Sequence, residues 1–201
     1  LIAVDGNGSI VDGDHLIAIA ATDLSERGLL RNKGVAVTVM TNIGFHRAMR
    51  NAGIDVVVTP VGDRNILSAL EEHDYVLGGE QSGHVVHRAH ATTGDGLLAA
   101  VLLMETLRRT SRSLADAAGV MSSYPQVLVN VRVKARTDIA TVPAIQRVID
   151  DVRAAMAGEG RILIRYSGTE PLLRVMIEGA DQAVITGWAN AIADAVRSEL
   201  G

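Results

Sequence analysis

Gly34-Val35-Ala36-Val37-Thr38-Val39-Met40 is the stretch whose pattern decides the fold class. It is apolar or β-branched at nearly every position and shows no alternation of wet and dry faces, as expected of a strand covered on both sides. Strands of that kind sit in parallel sheets with helices packed on each face. The flanking residues agree. Gly44 to Asn51 predicts a helix that stops at Ala52-Gly53, and Ile54-Asp55-Val56-Val57-Val58-Thr59 predicts the next buried strand. Gly62-Asp63-Arg64 opens a second helix, with Ile66, Leu67 and Leu70 facing inward and Glu71-Glu72 outward. Tyr75-Val76-Leu77 reads as a third strand running into Gly78-Gly79-Glu80-Gln81-Ser82-Gly83-His84, and Val85-Val86 as a fourth. Thr92-Thr93-Gly94-Asp95-Gly96 then caps a helix reaching about Arg109, apolar almost all round and therefore expected to be central.

Ahead of this unit, Leu1-Ile2-Ala3-Val4 and Ser9-Ile10-Val11 flank Asp5-Gly6-Asn7-Gly8 as strand, turn and strand. Asp12-Gly13-Asp14 follows, and its two acids invite a metal reading. A third oxygen ligand is not at hand, so Asp14 is read instead as the N-cap of a helix carrying Leu16, Ile17, Ile19, Ala20 and Leu24. Ser111 to Tyr124 marks a boundary. Beyond it Val127, Val129, Val131 and Val133 alternate with Leu128, Asn130, Arg132 and Lys134, the period-two pattern of a half-buried strand. A helix is predicted from Val142 to Ala157. Strands follow around Ile162 to Arg165 and Leu173 to Ile177, then a helix capped by Asp181 with Val184, Trp188, Ile192 and Val196 on one stripe. The expected architecture is a mixed, mostly parallel α/β domain over residues 15–121. A small β-α-β-β-α domain with an antiparallel sheet follows over 122–201.

Composition narrows the function. Aromatic residues make up 2% of the 201 positions and the formal net charge is -4, which argues against a base-stacking nucleic-acid surface or a polybasic membrane face. The longest apolar run, Leu97 to Met104, is too short to span a bilayer. No cysteine is present, so disulfides, thiol catalysis and cysteine metal sites drop out, and a cytoplasmic setting is expected.

Two stretches carry chemistry. In Arg165-Tyr166-Ser167-Gly168-Thr169-Glu170-Pro171, period two puts Arg165 and Ser167 on one face of the incoming strand. Gly168 lets backbone approach a ligand, and Arg174 adds a second planar fork of donors. Two guanidinium groups, hydroxyls from Ser167 and Thr169 and free backbone N–H groups suit a phosphate dianion. In Gly79-Glu80-Gln81-Ser82-Gly83-His84 the even spacing places Glu80, Ser82 and His84 on one face if the segment is extended. A carboxylate and a hydroxyl can hold a diol, and a histidine can carry a proton from a sugar hydroxyl. His46, His73, His87 and His90 find no partners in the sequence that would make a metal site.

Together, Gly79 to His84 and Arg165 to Pro171 resemble the α-D-phosphohexomutase superfamily. Gln81, the Val61-Gly62-Asp63-Arg64 loop and Thr93-Gly94-Asp95-Gly96 are most similar to its bacterial phosphoglucosamine mutase branch. The resemblance covers the whole chain as the third and fourth domains of a four-domain enzyme, with residues 1–14 as the tail of a preceding metal-binding domain. It implies a phosphoserine enzyme that interconverts glucosamine 6-phosphate and glucosamine 1-phosphate through a bisphosphorylated sugar, in cell-wall precursor synthesis. Carried over position by position, it implies that Glu80 and Ser82 hold sugar hydroxyls. Gln81, Gly83 and the Gly62-Asp63-Arg64 loop stand beside them, and His84 is a candidate proton carrier. Arg165, Ser167, Gly168 and Thr169 grip the phosphate that is not reacting, and Arg174 joins them on its donor chemistry. Neither a phosphoserine segment nor an Asp-x-Asp-x-Asp-Arg metal loop occurs in these residues. Mg²⁺ is therefore expected in a longer protein with no ligand from this chain, whose partners would be that protein's N-terminal domains, with a homodimer as a candidate assembly. The isolated polypeptide is expected to bind sugar phosphates weakly at most and to lack mutase activity. A phosphomannomutase or phosphoglucomutase, and a non-catalytic sugar phosphate-binding module, remain open as alternatives.

Overall fold

An antiparallel hairpin of β1 (Ala3–Val4) and β2 (Ile10–Val11) leads into helix α1 (Gly13–Glu26) in a computed structural model that describes residues 1–201. The chain divides into two compact units, Leu1–Ser123 and Tyr124–Gly201. The α1 cap corrects the expectation. Asp12, not Asp14, is the N-cap, its carboxylate accepting from the His15 N–H. Asp14 lies inside the first turn, fully buried, and its carboxylate accepts from the Asn42 N–H at 2.8 Å. Sequence spacing allowed either acid to cap; only the tertiary contact to Asn42 separates them.

In the first unit, β3 (Gly34–Thr38), α2 (Ile43–Asn51), β4 (Asp55–Thr59), α3 (Asp63–Glu72), β5 (Leu77–Gly79) and β6 (Val85–His87) follow in order. The sheet order is β4-β3-β5-β6; β3 pairs in parallel with β4 and β5, and β6 closes the edge antiparallel to β5. Every residue of β3 is buried. Val35 and Val37 enter the core shared with Leu16, Ile17, Phe45 and Met49, whereas Ala36 enters a separate cluster with Ile66 and Leu70. Helices on both faces are thus the reason the run from Gly34 carries no alternation.

Helix α4 (Gly96–Thr110) departs from expectation. Only Ala99 is buried, while Leu97, Val101 and Met104 are 82%, 57% and 59% exposed. Its near-uniform apolarity gave no facing direction, and within this unit it packs by one side on α1 and β6. Its cap is sharper than the general dipole role expected of Asp95: the carboxylate accepts from the N–H groups of Leu97 and Leu98 at 2.9 and 3.0 Å. Asp95→Ala is expected to cost about 1 kcal/mol in denaturant unfolding of the first unit. An unchanged unfolding midpoint would show that the cap contributes nothing there. Helix α5 (Leu114–Ala118), with a Ser113–Asp116 capping box, ends the unit.

The second unit contains β7 (Gln126–Arg132), α6 (Pro143–Met156), β8 (Arg161–Tyr166), β9 (Leu172–Glu178) and α7 (Gln182–Leu200). Its antiparallel sheet runs β7-β9-β8. Both helices bury their apolar stripes with one face of this sheet, in a core holding Val131, Ile145, Ile149, Val175, Ile177, Ile185 and Ile192. The α7 stripe corrects the sequence expectation. Ile185, Ala189, Ile192 and Val196 face the core and Val184 is largely exposed. A strict i+4 series drifts by ~40° per step around a helix, so Val184 and Ile192 cannot share one narrow stripe.

Candidate functional site

The loop from Ser167 to Pro171 joins the two innermost-paired strands of the second unit. Ser167 N–H donates to Leu172 O at 2.8 Å, closing the loop at its base. The register sets Arg165 directly opposite Arg174 on neighbouring antiparallel strands. Like charges in that relation repel. Burial first, and then the charge of Arg174, draw the Arg165 pKa below its ordinary value. Arg174 reaches the Glu170 carboxylate at 3.5 Å and stands 3.5 Å from Ser167 Oγ, while its Nε is buried without a hydrogen-bond partner. The Ser167 hydroxyl is 2% exposed and accepts from the Glu170 N–H at 3.3 Å. Gly168 and Thr169 form the exposed tip. A Cβ built on Gly168 would meet nothing within 4 Å, so the packing of this chain does not account for a glycine there.

Within the first unit, the C-terminal ends of the parallel strands gather the other predicted residues, the usual place for ligands in such sheets. Gly62, in a backbone conformation with φ of 124° that favours glycine, donates its N–H to the Glu80 carboxylate at 3.0 Å. The loop after β4 and the turn after β5 are thereby tied together. Asp63 and Arg64 sit exposed in the first turn of α3. The extended geometry expected for Gly79 to His84 is not what forms. Glu80 N–H donates to His84 O at 2.9 Å and Gly83 N–H to Glu80 O at 3.0 Å, so the segment is a tight β5–β6 turn. In a turn, period two no longer assigns faces, and Glu80, Ser82 and His84 are placed by the turn's own hydrogen bonds. Ser82 is exposed. Gln81 donates to the Asp12 carboxylate at 3.4 Å, and its carbonyl accepts from the Gly13 N–H at 3.0 Å, so this side chain faces the start of α1. His84 packs its ring on Gly94, where an added Cβ would come within 2.4 Å, and its Nε2 is buried without a partner.

Three supporting residues escaped the sequence reading. Gly13 lies under the turn, where a Cβ would fall 2.1 Å from Glu80 O. Asp12 holds the same turn from the side. Burial alone would push its carboxyl up, but hydrogen bonds from His15 and Gln81 outweigh burial and hold it below the ordinary carboxylate value. Arg136 donates to the carbonyls of Ser167 and Gly168 at 2.7 and 3.1 Å. No spacing rule links a residue ahead of α6 to a loop after β8, so only the fold reveals it. No group of three or more His, Cys, Asp or Glu side chains is placed to hold a metal ion, and no helix is long and apolar enough to cross a membrane.

Known proteins share this arrangement. Residues 12–124 match the phosphoglucomutase/phosphomannomutase α/β/α domain III, and residues 128–195 match the C-terminal domain of the same family. The chain belongs to the phosphoglucomutase/phosphomannomutase family. Within that family it is similar to a phosphoglucosamine mutase of Pelobacter propionicus, 51% identical over 201 residues, which are all of this chain and 44% of that protein. A phosphoglucosamine mutase of Frankia alni is 51% identical over 199 residues, 99% of this chain and 44% of that protein. The chain therefore spans less than half the length of these curated relatives. Among solved structures, the Aspergillus fumigatus N-acetylphosphoglucosamine mutase in complex with GlcNAc-6P and magnesium superposes with a TM-score of 0.79 at 20% identity, covering 98% of this chain and 46% of that one. At that identity the likeness concerns the fold of the family alone.

Proposed function

We propose that this chain is the sugar- and phosphate-holding part of a phosphoglucosamine mutase interconverting glucosamine 6-phosphate and glucosamine 1-phosphate. The observation that carries the reading is the cross-strand pair Arg165 and Arg174 at the base of the Ser167 to Thr169 loop. The repulsion between the two cations is relieved by an anion, and their planar forks favour a phosphate dianion over a point charge. Arg165, Ser167, Gly168, Thr169 and Arg174 grip the phosphate that is not reacting. In the other unit, Glu80 and Ser82 take sugar hydroxyls, Gln81 and Gly83 shape their turn, and Gly62, Asp63 and Arg64 line the adjoining loop. His84, with its buried unpartnered Nε2, carries a proton to or from a hydroxyl. Holding the unreactive phosphate fixes the far end of the sugar for phosphoryl transfer, which is where positioning energy is most effective.

The phosphoserine and the Mg²⁺ that assists the transfer belong to the rest of the whole protein, since no metal cluster forms among these residues. Magnesium there would neutralise charge developing on the transferred group. Residues 1–14 belong with the domain that precedes, 15–121 form the sugar-binding domain and 122–201 the phosphate-binding domain. The exposed apolar side of α4 suits packing against the preceding domains of the same protein, whose whole form works in the cytoplasm with a homodimer as a candidate assembly. The relatives named phosphoglucosamine mutase, at 51% identity, favour a hexosamine phosphate over the mannose or glucose phosphates that the family name also covers.

The test is calorimetric titration of the 201-residue polypeptide with glucosamine 6-phosphate, alongside a turnover assay of the same polypeptide and of the full-length enzyme on glucosamine, mannose and glucose phosphates. Weak binding without turnover by the polypeptide, and preferred turnover of the glucosamine phosphate by the full-length enzyme, are expected. Turnover by the polypeptide alone, or a full-length preference for mannose or glucose phosphate, would sink the reading.

A further inference from the structure

We infer that Arg136 is a positioning residue that aims the backbone N–H groups of Gly168 and Thr169 at the bound phosphate, a role that rests on the reading of this loop as a phosphate grip. Arg136 lies between β7 and α6 and approaches the loop from the carbonyl side. A single Nη of its guanidinium donates to Ser167 O at 2.7 Å and to Gly168 O at 3.1 Å. In a trans peptide unit the C=O and the following N–H point in opposite directions. Drawing both carbonyls to one nitrogen therefore turns the N–H of Gly168 and the N–H of Thr169 together, away from Arg136. Neither N–H has a partner within the chain, whereas the flanking Ser167 N–H is held by Leu172 O and the Glu170 N–H by Ser167 Oγ. Successive free N–H groups of this kind form an anion-binding concavity.

Two further features fit this role. The segment carrying Arg136 is anchored independently of the loop, because Tyr166 Oη donates to Thr137 O at 2.6 Å. The clamp is thus a fixed point and not a side chain following the loop. A cationic donor on each carbonyl also polarises the two peptide units and strengthens their N–H groups as donors. Arg165 and Arg174 supply charge from the strand side, and Arg136 supplies geometry from behind without touching the ligand.

The experiment is titration of the ¹⁵N-labelled 201-residue polypeptide with inorganic phosphate, following the Gly168 and Thr169 amides and the side-chain Nε resonances of Arg165 and Arg174. In the wild type both amide protons move downfield with one saturating curve. Arg136→Ala weakens the apparent affinity about tenfold, as loss of two aligned charge-assisted donors predicts, and abolishes the two amide shifts while the arginine resonances still respond. Arg136→Lys, whose cationic nitrogen can serve the same carbonyls, restores them. Wild-type amides that stay put while the arginine resonances move, or an Arg136→Ala protein binding within about twofold of the wild type, overturn the role of Arg136 alone; a difference that small is below that of one ordinary hydrogen bond. If phosphate moves neither amides nor arginines, the phosphate reading of the loop itself fails. The wild-type amide shifts decide the matter even if the alanine variant does not fold.

Discussion

Arg165→Ala is expected to weaken binding of inorganic phosphate or glucosamine 6-phosphate about a hundredfold, the loss of a bidentate charge-assisted contact. The thermal midpoint of the second unit should change little. The two parts of this expectation have opposite origins. In the absence of ligand, Arg165 faces Arg174 across the β8–β9 pair, and burial together with that like charge already disfavours its protonated form. Removing it relieves repulsion, which offsets the packing lost with its aliphatic stem. With ligand, the same charge becomes one of the groups holding the dianion. A residue kept only for the fold would behave the other way, lowering the midpoint and leaving affinity alone. Arg165→Lys separates charge from fork: it keeps the cation but not the planar donor pair, and intermediate affinity is expected. Titration calorimetry and thermal melts on the three proteins make the comparison. Wild-type affinity in the alanine variant would remove Arg165 from the site.

Much of this was legible in the sequence for identifiable reasons. The uninterrupted β-branched run at Gly34 to Met40 reports burial on both faces directly, because no polar residue is tolerated on either. The alternation from Val127 to Lys134 reports one wet face equally directly. Asp181 and Pro143 mark helix starts through local chemistry that tertiary structure did not override. Where local signals were degenerate, the reading failed. Asp12 and Asp14 are both acceptable caps, and only the buried contact to Asn42 decides between them. Helix α4 is apolar on every side, so its pattern carries no orientation. Gly79 to His84 could be extended or turned; the turn wins because Gly79 and Gly83 both adopt positive φ, which a single sequence does not reveal. The residue types at the candidate site were recognisable from their chemistry. Their supports, Arg136 and Gly13, were not, since each acts on a segment far along the chain through backbone atoms, and backbone contacts leave no mark in residue type.

Gly13→Ala is where local and tertiary expectations have opposite signs, and the tertiary one should win. Gly13 is the first residue of α1, without a positive φ, so helix propensity alone predicts that alanine would stabilise by roughly 1 kcal/mol. The surroundings forbid it. The added Cβ would lie 2.1 Å from Glu80 O, 2.7 Å from Gly83 N and 2.8 Å from Gln81 O. All three are backbone atoms of the β5–β6 turn, so no side-chain rotation makes room; either the turn or the start of α1 must move. Overpacking of this kind costs about 1–3 kcal/mol and sometimes more. Displacement would also break the Gly13 N–H to Gln81 O bond and shift Glu80 off the Gly62 N–H that ties the two loops together. The expected result is a destabilised first unit, with sugar phosphate affinity reduced through Glu80, Ser82 and His84. Amide shifts of Ser167 to Thr169 in the second unit should still respond to inorganic phosphate. Gly168→Ala is the matched control, since its Cβ meets only open space and stability should hold. Denaturant unfolding read separately from each unit tests both variants, and a Gly13→Ala protein as stable as the wild type would show that the turn is free to move and that Gly13 does not position it.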